Sequence, residues 1–306
     1  MNNNYTFSRA FTLIELMITL VLSLMITYAI AQVLISSNRT SVTSDGMSQS
    51  QETGRFVMSY LANHIRGAGL NSTSNKSNTS AAFVSCPADT TTSNLAENNA
   101  CIEENGGGED QDSITNAGIH GDRLALSRIA PDDNLVDCTG SKGHRPIDDN
   151  GTTPLTPYVI DDRILNTFWD EFDENSNLSN LMCQGFLFNG VDVIGSSPAQ
   201  AIANGVEALH LLYGEALTAL PPSGERNINR YVPAAVDPAA PVVAREVQDW
   251  DRVYAVKASV LTRSLTSFTN SSTLRRYILA NAAPYDMTDS VSRQVFTSTF
   301  VINNYR

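Results

Sequence analysis

The chain has 306 residues and a net charge of −12, with a pI near 4.7. That balance argues against a broad nucleic-acid surface, which would be basic, and suits a soluble, self-repelling domain. The four histidines, His64, His120, His144 and His210, show no metal-ligand spacing, and no G-x-S-x-G, Walker loop or paired G-x-G-x-x-G occurs, so no metal, cofactor or catalytic residue is expected.

The first ten residues, MNNNYTFSRA, are a polar leader with one positive charge, Arg9. Residues 11–35 form an apolar run in which Glu15 is the one charged side chain. The run is long enough to cross a bilayer as a helix. An unpaired carboxylate there costs on the order of a few kcal/mol, so Glu15 needs a role. A secretory signal peptide would end at a small-residue site such as Ala29-Ile30-Ala31, but the run continues to Ile35 and an acid is foreign to a signal core. A plain anchor explains the length and leaves Glu15 idle. Cleavage between Ala10 and Phe11 explains both. It puts Glu15 in the first helical turn, where the helix dipole favours negative charge. It also makes an α-amino group that can pair with the Glu15 of a neighbouring subunit.

The string RAFTLIELMITL resembles the N-terminus of type IV prepilins, with Ala10 where that family has glycine. The resemblance implies that an inner-membrane prepilin peptidase cuts at Ala10–Phe11 and methylates Phe11, and that Glu15 guides subunit docking. Arg9 favours an orientation with the leader in the cytoplasm, which puts the remainder in the periplasm.

No proline precedes Pro87, so the helix can run on to about Arg66. Residues 38–51 are polar and contain Gly46, a weak stretch expected to bend or melt. Beyond it Phe56, Val57, Tyr60, Leu61 and Ile65 form an apolar stripe, and Gly67 and Gly69 are stop signals. Residues 71–100 and 104–112 have loop composition. The four cysteines, Cys86, Cys101, Cys138 and Cys183, suit an oxidising compartment. Three pairings are open, of which Cys86–Cys101 with Cys138–Cys183 closes two loops without crossing.

Residues 122–130, 158–165, 185–194, 205–214, 252–263 and 294–302 read as strands. The clearest alternation puts Tyr254, Val256, Ala258 and Val260 on one face. The acidic string 170–180 lacks the glycine and closing glutamate of a calcium loop and reads as solvated loop, and DDNG at 148–151 as a turn. Trp169 and Trp250 read as packing residues. The expected fold is α+β: a long N-terminal helix packed on an antiparallel, disulfide-tied β domain. Its divisions are a leader (1–10), a membrane or filament-core half of the helix (11–35), an amphipathic half (36–70) and a periplasmic β-rich domain (71–306).

Several segments are similar to minor pilins of the PilW type: Glu52, Gly54, Arg55 and Phe56, then Ile65, Arg66, Ala68 and Gly69 along the helix, Asp122 and Arg123 with Cys138, Cys183, and a strand ending in Arg263 and Ser264. Residues 294–304 resemble the usual C-terminus, with Ile302 at a position expected to be basic. This implies a part in starting type IV pilus assembly, near the tip, with other minor pilins, the major pilin, a tip adhesin and the inner-membrane assembly platform as partners. The J-type minor pseudopilin of type II secretion shares the architecture. A membrane-anchored periplasmic hydrolase is the alternative of another class.

Overall fold

The computed structural model describes residues 12–70, 82–84, 98, 100–102, 121–129, 136–142, 163–188, 192–216, 227–234, 246–247, 249–265 and 274–302. Thr12 caps the first element, its hydroxyl accepting from the Glu15 amide at 3.3 Å. From there α1 runs unbroken over Leu13–Gly67, 55 residues, roughly 80 Å at 1.5 Å per residue.

The helix does not melt at Gly46, and packing is the reason. Gly46, Ser50, Gly54, Val57, Leu61 and Ile65 form one buried stripe at three- and four-residue spacing. The three small residues let the helix backbone approach a sheet closely, and that burial outweighs the poor helix propensity of glycine. Ser50 Oγ bonds Thr262 Oγ1 at 2.8 Å. A Cβ on Gly54 would overlap the ring of Phe296. The stripe is narrower than its sequence outline: Phe56 is 48% exposed and Tyr60 half-buried. Ala68 leaves the helix in extended conformation. Gly69 turns with φ +72°, and its amide donates to Ser127 O at 2.9 Å.

Five strands form the first sheet: β1 (Leu124–Ile129), β2 (Arg163–Asp173), β3 (Leu178–Phe188), β4 (Val193–Ser196) and β5 (Gln200–Asn204). All pair antiparallel in the order β1-β2-β3, with β4 and β5 both on the far side of β3. The acidic string at 170–180 is not a loop. It is the β2–β3 hairpin, with Asp170 paired to Leu181 and only four residues turning at its tip. Asn177 takes φ +55° there, a conformation asparagine tolerates. The strand expected at 158–165 is the front of β2, which runs on to Asp173; residues 158–162 lie outside the described residues.

The second sheet has the order β11-β8-β6-β7, with β6 (Val206–Glu215), β7 (Arg230–Val232), β8 (Val253–Arg263) and β11 (Arg293–Val301). A short hairpin of β9 (Arg275–Tyr277) and β10 (Tyr285–Met287) stands apart from both sheets. Leu209, Leu211, Val256, Val260 and Phe300 share the core of the α1 stripe, while Ala208 and Leu261 pack with Leu279, Tyr285 and Met287 on the other face. Covered on both sides, β8 is buried along nearly its whole length.

Carboxylates join the two sheets. The Leu209 amide donates to Asp170 Oδ1 at 3.1 Å, and the Leu211 amide to Asp122 Oδ2 at 2.7 Å. The Asp122 amide returns a bond to Leu209 O at 2.6 Å. A margin of β6 that β7 does not reach is thus satisfied by side chains. His210 and Tyr285 complete the cluster: His210 Nε2 lies 2.6 Å from the Tyr285 hydroxyl and Nδ1 3.5 Å from Asp122. Burial, then the charges of Asp170 and Asp122, push the Tyr285 pKa up, so the phenol stays protonated.

Gly54→Ala tests the close approach. Helix propensity alone would favour alanine by about 1 kcal/mol. The overlap with Phe296 reverses the sign, and a destabilisation of about 1–3 kcal/mol is expected in thermal or urea unfolding. Gly67→Ala, where nothing lies within 4 Å of the added Cβ, is expected to be neutral or stabilising.

Candidate assembly surface

The N-terminal half of α1 meets nothing in the molecule. Every residue from Leu13 to Val42 is exposed, and the large apolar side chains among them are 37–79% accessible. This is the one helix among the described residues long and apolar enough to cross a membrane. Three of its hydroxyls are satisfied internally: Thr19, Ser23 and Thr27 donate to Leu16 O, Leu20 O and Ser23 O at 2.8–3.0 Å. Such back-bonding hides polar groups from apolar surroundings. Glu15 is left as the only charged side chain between Leu13 and Arg39. It occupies the third helical position, three after the cap, where its carboxylate complements the positive helix end. Ala10 and Phe11 lie outside the described residues.

The other half of α1 is fastened to the domain by a short loop, residues 136–142. The Cys138–Cys183 disulfide ties that loop to β3, with Cα atoms 6.3 Å apart. Cys138 N donates to Asn166 Oδ1 at 2.9 Å, and the Tyr60 hydroxyl of α1 donates to Cys138 O. Asp137 anchors the same loop. Its Oδ1 accepts from Thr139 N, Thr139 Oγ1 and Ser141 N, and its Oδ2 accepts from Ser197 Oγ at 2.6 Å. Glycine is required at 185 because a Cβ there would overlap the Asp137 side chain. Tyr60 and His64 both pack on Phe168 of β2, with centroids 6.2 and 5.2 Å away. Burial, then the neighbouring Arg128 guanidinium, lowers the His64 pKa to about 4, although Asp137 pulls the other way.

Other residues singled out by the sequence are scattered. Cys101 is buried and disulfide-bonded, and Cys86 lies outside the described residues. So do His120, His144 and residues 148–151. Glu52 and Arg55 are exposed on α1. Trp169 Nε1 donates to Glu171 Oε2 at 2.9 Å. Trp250, in a short 3-10 turn, packs on Tyr213 and Phe83. Sequence reasoning missed the buried Arg293, which bonds Glu207 Oε1 at 3.0 Å and Asp289 Oδ1 at 2.6 Å. Burial alone would lower its pKa, but both acids together push it up. The available signal was an arginine opening an otherwise uncharged strand, which asks for a buried partner.

Among known proteins, residues 172–304 match the family model described as Type IV Pilus-assembly protein W. The match starts at the end of β2, extends past β11 and leaves α1 outside. It supports involvement in type IV pilus assembly, and that family is one of pilus assembly and not of enzymes. No curated protein and no solved structure matches the chain.

Two measurements probe the joint at α1. Replacing Cys138 and Cys183 together by serine removes a cross-link over a sequence separation of 45. The loop-entropy model puts that loss at about 4 kcal/mol, seen as a fall in Tm of roughly 10 °C. For His64 the folded pKa lies below the ordinary 6.5, so the unfolded chain binds more protons between the two values. Stability is full above about pH 6.5 and is lost as pH falls towards 4, by about 3 kcal/mol at most. Unfolding followed against pH is expected to show a flatter profile in that window for His64→Gln than for the native chain.

Proposed function

We propose that the chain is a minor pilin that takes part in starting type IV pilus assembly. In this reading it is made as an inner-membrane precursor and cut between Ala10 and Phe11. Phe11 is then methylated, and residues 11–35 pass from the bilayer into a pilus or its priming complex. The domain beyond residue 70 faces the periplasm before assembly. Its partners are other minor pilins, the major pilin and a tip adhesin.

One observation carries the reading: a wholly exposed apolar helical half bears a single charge, at its start. A helix that only anchors gains from that carboxylate no more than its complement to the helix dipole, and bears its desolvation cost. A helix that docks beside others in an apolar bundle can use it, because the new amine of a neighbour gives it a partner within the first turn. The family match on residues 172–304 supports the pilus context independently of this helix.

Glu15→Val tests the docking role. The variant is expected to enter the membrane at native levels and to fall roughly tenfold or more in sheared pilus fractions, since 1.4 kcal/mol of lost pairing is a factor of ten. Native abundance in those fractions would remove the docking role.

A further inference from the structure

The sheet edges differ in how they are protected. β4, β5 and β7 have four, five and three residues. The free side of β1 takes backbone bonds from Gly69 and Val84 and donates to Ala82. The open margin of β6 is capped by Asp122 and Asp170. Among the described residues β11 has none of these devices. Its nine residues pair with β8 without a register shift, so no bulge twists the edge away. From Gln294 to Ile302 there is no charge and no proline. A long, regular, uncharged edge is a template for another strand.

Two bonds identify its outward groups. Ser264 N donates to Ser292 O and Ile302 N to Tyr254 O, both at 2.9 Å. In this register even-numbered β11 residues therefore face β8. The N–H and C=O groups of Val295, Thr297, Thr299 and Val301 point away from the sheet. Among the described residues none bonds to them. The four side chains are exposed, all are β-branched, and they lie on the face opposite the Phe296 contact with α1.

We infer that the outer edge of β11 receives an extended strand from a different polypeptide of the assembly. A second copy does not fit. Two identical edges close across a twofold perpendicular to the sheet, with antiparallel strands. That axis reverses the direction of α1, which packs along the sheet, so the two apolar halves would point in opposite directions. This step rests on the membrane-anchored part of the proposed function, since both halves could not enter one bilayer. The incoming strand is uncharged over the paired length, because β11 offers no counter-charge, and β-branched residues suit the face beside Val295 and Val301.

Residue-resolved amide exchange tests this on the full chain, first purified alone in detergent, then isolated with its partners from native envelopes. In the partnered sample the amides of 295, 297, 299 and 301 are expected to exchange at least about 100-fold more slowly than in the lone chain. The even-numbered amides should be protected in both. Thr299→Pro removes an outward N–H and no ladder bond. It is expected to keep the native Tm and lose the protection at 295, 297 and 301, and Thr299→Glu, opposite Lys257, should do the same. Equal exchange in the two samples overturns the inference, as does concentration-dependent protection in the lone chain, which would be self-pairing. Immunoblotting of sheared pili separates this from the pilus reading. Presence in pili with unprotected odd amides removes the strand partner alone. Absence from pili with protected odd amides keeps the strand partner and removes the pilus role.

Discussion

How closely α1 approaches the strands β8 and β11 governs the rest of the molecule. The approach is made by absence: no Cβ at Gly46 or Gly54, and a single hydroxyl at Ser50 that finds Thr262. Phe296 fills the space that Gly54 leaves. Farther along, the stripe changes to Val57, Leu61 and Ile65, fully buried side chains that bring in the core between the sheets. One helix is thereby held rigidly for its second half and left bare for its first. The bare half keeps its orientation because no break separates it from the docked half.

The disulfide loop guards the other end of that contact. Tyr60 reaches Cys138, Cys138 is bonded to β3, and Asp137 holds the loop in shape over Gly185. Helix, loop and sheet are therefore linked through that cross-link. The sheets themselves meet through polar groups. Asp122 and Asp170 supply to β6 the acceptors that a neighbouring strand would have supplied, and buried amides rarely go without such partners. A carboxylate replaced by its amide would keep shape there and weaken the charge-assisted bonds.

Much of the fold was legible because its signals are periodic. The apolar run, the long helix, the alternation of Tyr254, Val256, Ala258 and Val260, and the α+β order follow from spacing alone. Three features did not. Gly46 reads as a break because propensity is local, whereas its burial against a sheet far away in sequence is not. The hairpin at 170–180 reads as loop because its acids suggest solvent, yet Asp170 is buried on a β6 amide. β2 hides its continuation beyond Leu165 because its partners, β1 and β3, bury nearly every residue and erase the alternation. The candidate site divides likewise. Glu15 stands out in sequence as a charge in an apolar run, while the open edge of β11 appears only once strand order is known.

The central claim is that cleavage at Ala10–Phe11 frees the amino terminus of the apolar half of α1, which is used with Glu15 in assembly. Mass spectrometry of the mature N-terminus, on chain recovered from sheared pili or from membranes, tests it most directly. A terminus beginning with N-methylated Phe11 is the predicted result. A terminus at Gln32, or an intact leader on chain found in pili, would contradict it.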